Sequence, residues 1–259
     1  MQSLAKLNLK NKKYIIFDMD GTLIDSIGVW NITDKYIIEK YSGITVDLDD
    51  IQRERDNFLH SNQDSDIYLA YCTYLIKKYG LSMKNSKELL KIRWDMSNKV
   101  LQEIDFKPGV VELILKLKDL GVTLVLATMT TQVQLDIYSK KNQKMLNQLN
   151  ISEVFELIIR KEDVKRKKPD PEIYNMIMQY YNATPNECLT IEDSYTGVLA
   201  SKNAGVEVIN IYDKYADLDR DKINRITDYS ILNYREFIDY LDSIKDFTKQ
   251  KIMNIKKVT

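Results

Sequence analysis

Residues 14–22, with the sequence YIIFDMDGT, join a short apolar run to two carboxylates and a glycine. The run Tyr14–Phe17 is typical of a strand that is buried on both faces of a parallel sheet. Asp18 and Asp20 lie two residues apart before Gly21, so a tight turn can hold both acids near one point. With Mg²⁺ present, one such carboxylate can attack phosphorus while the other moves protons. The same string also occurs in turns and calcium loops, so its meaning depends on the rest of the chain.

Further apolar runs of the same kind follow, and helical patterns lie between them. The runs cover residues 122–127, 155–159, 188–191 and 206–211, and the helical patterns cover residues 108–120, 132–149, 170 onward and 195–204. This alternation predicts an α/β fold with a doubly wound, Rossmann-like parallel sheet and helices on both faces.

Residues 27–106 interrupt the alternation. Helical patterns cover residues 30–41, 66–79 and 86–101, and nothing between them reads as a buried strand. We therefore predict an α/β core domain of residues 1–26 and 107–259, with an all-helical insert of residues 27–106.

Acidic or hydroxyl side chains recur where predicted strands end. Asp18 and Asp20 follow the first strand, Thr128 follows the second, and Glu192 and Asp193 follow the fourth. Because parallel strands present their carboxyl ends along one edge of a sheet, we expect these side chains to converge. Burying two acids after a strand costs free energy unless a positive charge lies beside them. A hard cation, which prefers oxygen ligands, would supply that positive charge.

Two neighbouring features add donors and positive charge. A hydroxyl and a free backbone N–H in residues 128–130 can donate to a phosphoryl oxygen. Lys168, just before a helix N-terminus, can neutralise phosphate charge and a nearby carboxylate. Each of these features has an ordinary explanation when it is taken alone. Residues 128–130 can be a strand end that caps a helix, and residues 165–168 can be a run of surface charge. For the acids after the fourth strand, the ordinary explanation is a helix N-cap at Asp193 or Ser194.

Composition excludes several other classes of protein. The chain has 38 Lys and Arg against 38 Asp and Glu, so nothing global favours nucleic acid or an anionic membrane. No apolar run approaches the ~18 residues that span a bilayer, and residues 1–13 lack the apolar stretch of a secretory signal. We expect a cytoplasmic monomer in which Cys72 and Cys188 are buried free thiols.

The scarcity of histidine limits the chemistry, because a Ser–His–Asp or Cys–His system would have to use a single residue. His60 is the only histidine, so a His-ligated metal cluster cannot form, and its neighbours form no nucleophile motif. We expect His60 to be a structural or surface residue.

Four segments together resemble the haloacid dehalogenase superfamily in order and approximate spacing. They are DMDGTLIDS at residues 18–26, LAT at 126–128, KPDPEIY at 168–174 and LTIEDSYTGVLASKNAG at 189–205. The closer resemblance is to the phosphatase and β-phosphoglucomutase-like branch, in which a helical insert at this position is called a C1 cap. One departure is that the stretch between Thr128 and Lys168 is several residues longer, so we expect an extended helix at residues 132–149.

The resemblance implies a role for each acid of the first motif. Asp18 resembles the nucleophile that forms an aspartyl-phosphate. Asp20 resembles the general acid/base that protonates the leaving group and then activates water. Dehalogenases and phosphonoacetaldehyde hydrolases of the superfamily lack an acid at the position of Asp20, so both activities are disfavoured.

The resemblance also implies a metal and a phosphate site. Mg²⁺ would be held by four residues: the Asp18 carboxylate, the Asp20 backbone carbonyl, Asp193, and Glu192 directly or through water. Thr128 and the Met129 N–H would bind the transferring phosphoryl group, and Lys168 would balance charge beside Asp18.

The sequence therefore predicts a Mg²⁺-dependent phosphatase of a small phosphorylated metabolite. A sugar phosphomutase is the alternative, and it would need insert side chains that grip a second phosphate, for which Arg53, Arg55 and Lys77 are candidates. A solvated surface is the ordinary explanation of each. A catalytically silent binding module on the same fold is the third alternative, and the intact acids argue against it.

Overall fold

The protein, a computed structural model in which residues 4–62 and 66–255 are described, divides into two compact units. The sheet unit consists of Met1–Asp25 and Asp105–Thr259, and the helical unit consists of Ser26–Ile104. These limits differ by one or two residues from those of the core and insert inferred from the sequence. No helix within the described ranges is long and apolar enough to cross a membrane.

The sheet unit is built on a six-stranded sheet with the order β3-β2-β1-β4-β5-β6, and every paired strand is parallel. The strands are β1 Tyr14–Phe17, β2 Thr123–Ala127, β3 Leu157–Ile159, β4 Cys188–Glu192, β5 Glu207–Ile211 and β6 Tyr229–Ile231. The predicted α/β fold is confirmed. The sequence did not reveal β6, because its three residues include the polar Ser230 and form no apolar run.

The helices of the sheet unit cover both faces of the sheet. They are α5 Val110–Asp119, α6 Gln132–Asp136, α7 Gln143–Leu146, α8 Ile151–Val154, α9 Glu172–Tyr181, α10 Tyr195–Asn203, α11 Arg220–Ile226 and α12 Tyr234–Ile255. Helices α9 and α10 pack on Ile16, Val125 and Cys188 of the central strands. Helix α5 packs against β2, and α12 packs against α5 and β6. Burial on both faces explains why these strands are short, apolar and β-branched.

The prediction of one extended helix over residues 132–149 is wrong. A π-helical turn, Ile137–Lys141, follows α6, and the backbone of Asn142 is extended at φ −79° and ψ 92°. The Asn142 side chain accepts a hydrogen bond from the Met145 N–H at 3.0 Å and so starts α7 as its N-cap. Through this local bond the asparagine side chain competes with the backbone hydrogen bonds of a helix. The helix therefore breaks at Asn142 although the apolar periodicity of the sequence continues.

The helical unit packs four helices around its own apolar core. They are α1 Val29–Ser42, α2 Leu48–Ser61, α3 Ile67–Tyr79 and α4 Ser86–Val100. Ile37 and Ile38 of α1, Leu75 of α3 and Leu89 of α4 are buried together. Helix α2 was not singled out in the sequence because charged residues dominate it. Its His60 side chain lies outside the described part, so the expectation for that histidine stays a prediction.

A buried ion pair ties α1 to α4 inside the helical unit. The Arg93 guanidinium donates to both carboxylate oxygens of Asp34, at 2.7 and 3.0 Å, and the two side chains are 2% and 0% exposed. The guanidinium also lies over the rings of Trp30 and Tyr71, at 5.3 and 5.1 Å from their centroids. Cys72 beside it is a buried free thiol, as is Cys188 of β4, and both were expected to be.

We predict that Asp34→Asn lowers the free energy of unfolding of the helical unit by about 3 kcal/mol, because it leaves the Arg93 charge buried without a counter-ion. Both tryptophans of the chain, Trp30 and Trp94, lie in this unit, so tryptophan fluorescence during urea unfolding reports its stability. Asp95→Asn on α4 is the matched control, since Asp95 pairs with Lys91 on the surface. Equal midpoints for the two variants would contradict the prediction.

Candidate active site

The candidate site lies where the strand order reverses. Strand β1 pairs with β2 on one side and β4 on the other, and open α/β sheets bind ligands at the carboxyl ends of strands at such a point. Asp18 follows β1 directly, and its N–H donates to the Ile191 carbonyl of β4 at 3.1 Å. This register places Asp18 beside the end of β4, where the next two residues are Glu192 and Asp193.

Three buried carboxylates meet at this point. One oxygen each from Asp18, Glu192 and Asp193 lies within 4.8 Å of the others. The exposed fractions of the three residues are only 9%, 1% and 5%. The convergence expected from the two strand ends is therefore present in the structure, and we call these residues the acid cluster.

Lys168 bridges two members of the acid cluster. Its Nζ donates to Asp18 Oδ1 at 2.7 Å, to Glu192 Oε1 at 2.5 Å and to the Ala127 carbonyl at 2.9 Å. The Lys168 side chain is 4% exposed, whereas the preceding residues 165–167 are exposed and fit the surface explanation. Burial lowers the pKa of Lys168, but the carboxylates of Asp18 and Glu192 have the larger, opposite effect and hold this pKa well above its usual value.

One ammonium does not balance three carboxylates. Burial raises the pKa of Asp18 well above its ordinary value; Lys168 opposes this, and the charges of Glu192 and Asp193 add to it. Burial, followed by the charges of Glu192 and Asp213, raises the pKa of Asp193 to about 7. Glu192 Oε2 is buried and makes no hydrogen bond to the protein. A hard divalent cation with oxygen ligands fits this donor set, because it would balance the charge and give the orphaned oxygen a partner.

Surrounding groups hold the acids of β4 in place. The Tyr174 hydroxyl of α9 donates to Glu192 Oε1, and the Thr22 hydroxyl donates to Asp193 Oδ1 at 2.9 Å. The Asn210 amide of β5 donates to the backbone carbonyls of Glu192 and Asp193 at 3.0 and 3.1 Å. Side chains from β5, α9 and the turn after β1 thus fix the orientation of both acids.

Asp20 lies in a different environment from the acid cluster. Thr130 Oγ1 donates to its Oδ2, and the Tyr138 hydroxyl donates to its Oδ1 at 3.1 Å. The Thr128 and Thr130 hydroxyls lie 2.7 Å apart, so the hydroxyl group at the end of β2 connects to Asp20 through Thr130. The half-buried Met129 side chain packs against the core of the sheet unit.

Comparison with known proteins places the chain in a family. The family model described as "Haloacid dehalogenase-like hydrolase" matches residues 15–211. The chain belongs to this family. The sequence prediction of an enzyme of its phosphatase and β-phosphoglucomutase-like branch is thereby confirmed.

Individual relatives of this haloacid dehalogenase-like chain include both activities of the branch. A "Phosphorylated carbohydrates phosphatase" of Thermotoga maritima is 30% identical over 198 residues, which cover 75% of this chain and 82% of the relative. The "Beta-phosphoglucomutase" of Bacillus subtilis is 24% identical over 77% of this chain and 83% of its own. A solved hydrolase of the family from Deinococcus radiodurans, with bound phosphate and sodium, aligns with a TM-score of 0.67 at 21% identity, over 88% of this chain and 93% of that one. At that identity the solved structure supports the fold alone.

Several side chains that shape the site of this family member were not predicted. Thr22 and Thr130 stand in the quoted motifs, but their partners depend on tertiary contacts. Gly197 could have been found from the sequence, since a glycine inside a helical pattern often marks a place where another group packs closely. Here that group is the Glu192 carboxylate. Tyr138 and Asn210 carried no signal in the sequence at all.

We predict that Gly197→Ala weakens cation binding by about tenfold or more, because a Cβ at this position would lie 1.9 Å from Glu192 Oε2 and displace that carboxylate. Isothermal titration calorimetry with Mg²⁺ measures the affinity of each variant for the cation. Thr196→Ala, on the exposed side of the same helix, is the control and should bind Mg²⁺ like the wild type. Equal affinities for both variants would show that Glu192 does not contribute to the cation site.

Proposed function

We propose that this protein is a Mg²⁺-dependent phosphatase that hydrolyses a small phosphorylated metabolite of the sugar phosphate class through an aspartyl-phosphate formed on Asp18. The observation that carries the proposal is the position of Asp18, which contacts Lys168 and borders two further buried acids at the switch point of the sheet. Phosphoryl transfer depends chiefly on positioning and charge neutralisation, and this arrangement supports both.

The first step transfers the phosphoryl group to the protein. A carboxylate oxygen of Asp18 attacks phosphorus, the bond from phosphorus to the ester oxygen breaks, and Asp20 gives a proton to the departing alkoxide. Lys168 holds Asp18 Oδ1 and offsets negative charge beside the nucleophile. The Thr128 hydroxyl and the Met129 N–H are the proposed donors to the phosphoryl oxygens.

The second step releases phosphate. A water molecule attacks the phosphorus of the aspartyl-phosphate, Asp20 accepts a proton from that water, and the Asp18 carboxylate is regenerated. Asp18, Glu192, Asp193 and the Asp20 carbonyl are the proposed ligands of Mg²⁺. When bound, the ion supplies positive charge to the acids and to the phosphoryl oxygens.

The relatives support the substrate class. The phosphatase from Thermotoga maritima is named for phosphorylated carbohydrates, and the Bacillus subtilis relative is named as a mutase of a phosphorylated sugar. A phosphomutase is therefore the second candidate. The two activities differ in their products, because a phosphatase releases inorganic phosphate and a mutase returns an isomerised sugar phosphate.

We predict that Asp18→Asn lowers phosphate release by about a thousandfold or more, because the amide cannot form the covalent intermediate. The measurement is Mg²⁺-dependent release of inorganic phosphate from a panel of sugar phosphates, with product identity checked by NMR. Asp119→Asn, an exposed acid on α5, is the matched control and should keep wild-type activity. Full activity of D18N would remove the proposed nucleophile, and an isomerised product without free phosphate would replace the phosphatase with the mutase.

We also predict that Mg²⁺ raises the melting temperature more at pH 8 than at pH 6. Without a cation, the folded-state pKa of Asp193 is about 7, against roughly 3.9 in an unfolded chain. The stability that this group contributes is therefore present below about pH 4 and is lost as the pH rises through about 7. Below pH 7, Mg²⁺ must displace a proton, so its affinity falls about tenfold per pH unit, which is worth about 1.4 kcal/mol or roughly 2–4 °C.

The control for the pH experiment is Asp193→Asn, which removes one titrating ligand and leaves Asp18, whose pKa is also raised. We expect Mg²⁺ to raise the melting temperature of D193N only slightly, with a smaller difference between the two pH values than in the wild type. A wild-type gain that is equal at pH 6 and pH 8, with saturating Mg²⁺ at both, would contradict the assignment of Asp193 as a ligand.

A further inference from the structure

Two hydroxyl groups hold the carboxylate of Asp20, one on each oxygen. Thr130, at the end of β2, donates to Oδ2, and the Tyr138 hydroxyl donates to Oδ1 at 3.1 Å. Tyr138 is 1% exposed and lies 118 residues from Asp20 in the sequence. Nothing in the motifs of the family assigns this tyrosine a role in the reaction.

Tyr138 lies in the π-helical turn that replaces the expected continuous helix. The Asn142 N–H donates to the Ile137 carbonyl at 2.9 Å, which is the five-residue bond of a π turn. Ile137 is 3% exposed and Asn142 is fully buried. The backbone on both sides of Tyr138 is therefore anchored in the core. Single π turns inside helices are uncommon and are frequently found at functional sites.

We propose that Tyr138 is a positioning residue for Asp20. This inference rests on the proposed function, in which Asp20 protonates the leaving oxygen and later accepts a proton from water. An aspartate has two side-chain torsions, and a bond to one oxygen alone would leave the carboxyl plane free to rotate. Donors on both oxygens fix that plane.

The role of the hydroxyl can be separated from that of the ring. The Tyr138 ring is buried, and Tyr138→Phe keeps the ring while removing the donor to Asp20. Tyr240→Phe is the matched control, because the Tyr240 hydroxyl donates to the Leu7 carbonyl in the same unit and touches no member of the site. Both variants lose one tyrosine hydroxyl and the hydrogen bond that it donates.

The experiment compares two kinds of phosphate ester by kcat/KM, which reports the steps up to the release of the alcohol or phenol. p-Nitrophenolate is a weak base and departs without a proton, whereas the alkoxide of a sugar phosphate needs the general acid. The alkyl ester is whichever of glucose 6-phosphate, fructose 1-phosphate and glycerol 3-phosphate the wild type hydrolyses fastest. Asp20→Asn serves as the positive control for loss of the acid.

We expect Y138F to lower kcat/KM about ten- to a hundredfold for the alkyl ester and by less than about twofold for p-nitrophenyl phosphate, since misplacing the acid forfeits part of its contribution. Y240F should leave both values unchanged. The double variant Y138F/D20N should match D20N for the alkyl ester, because no acid remains to be positioned. Effects that multiply would indicate independent roles.

Equal losses for both esters in Y138F, or multiplying effects in the double variant, would overturn the inference while leaving the phosphatase proposal intact. A wild type that hydrolyses neither ester would overturn the proposed function and this inference with it. Should Y138F be unfolded at the assay temperature by circular dichroism, Thr130→Val provides the same test on the other oxygen of Asp20. A larger loss for the alkyl ester than for the aryl ester in T130V supports hydroxyl anchoring, and equal losses overturn it.

Discussion

Buried negative charge at the end of β1 and β4 is the constraint around which the sheet unit is arranged. Three carboxylates taken out of water repel one another, and a single ammonium from Lys168 offsets only part of that charge. Hydrogen bonds stabilise the acids in addition to this charge. Tyr174 and Lys168 both donate to one oxygen of Glu192, and Thr22 donates to Asp193. A cation at this cluster would balance the remaining charge, so the acids and the proposed ion are considered together.

The part of the site that the sequence predicted is the part that strand order determines. The proximity of Asp18 and Asp193 could be predicted because each follows a buried strand, and parallel strands have their carboxyl ends at the same edge of the sheet. Lys168 could be added because it precedes the N-terminus of a helix that begins at that edge. These inferences need only the direction of each element, and the apolar pattern of the sequence supplies that direction.

The rest of the site depends on contacts that have no local pattern. Tyr138 reaches Asp20 because a π turn and the capping side chain of Asn142 interrupt an apolar periodicity that reads as one helix. Asn210 holds the backbone carbonyls of Glu192 and Asp193 from a neighbouring strand that is otherwise mostly apolar. In the helical unit, the pairing of Asp34 with Arg93 is equally invisible, because both residues stand in ordinary amphipathic helices.

Asp18 and Asp20 lie two residues apart, are proposed to have different tasks, and make different sets of contacts. Asp18 touches an ammonium and borders two acids, so its carboxylate belongs to a charged cluster suited to a cation and to a nucleophile. Asp20 accepts hydrogen bonds from the hydroxyls of Thr130 and Tyr138, which direct its carboxyl group. In the proposed reaction Asp20 gives a proton in the first step and accepts one in the second, so a carboxyl plane held on both oxygens serves both steps. Asp18 and Asp20 would then act on the same phosphoryl group through different sets of contacts.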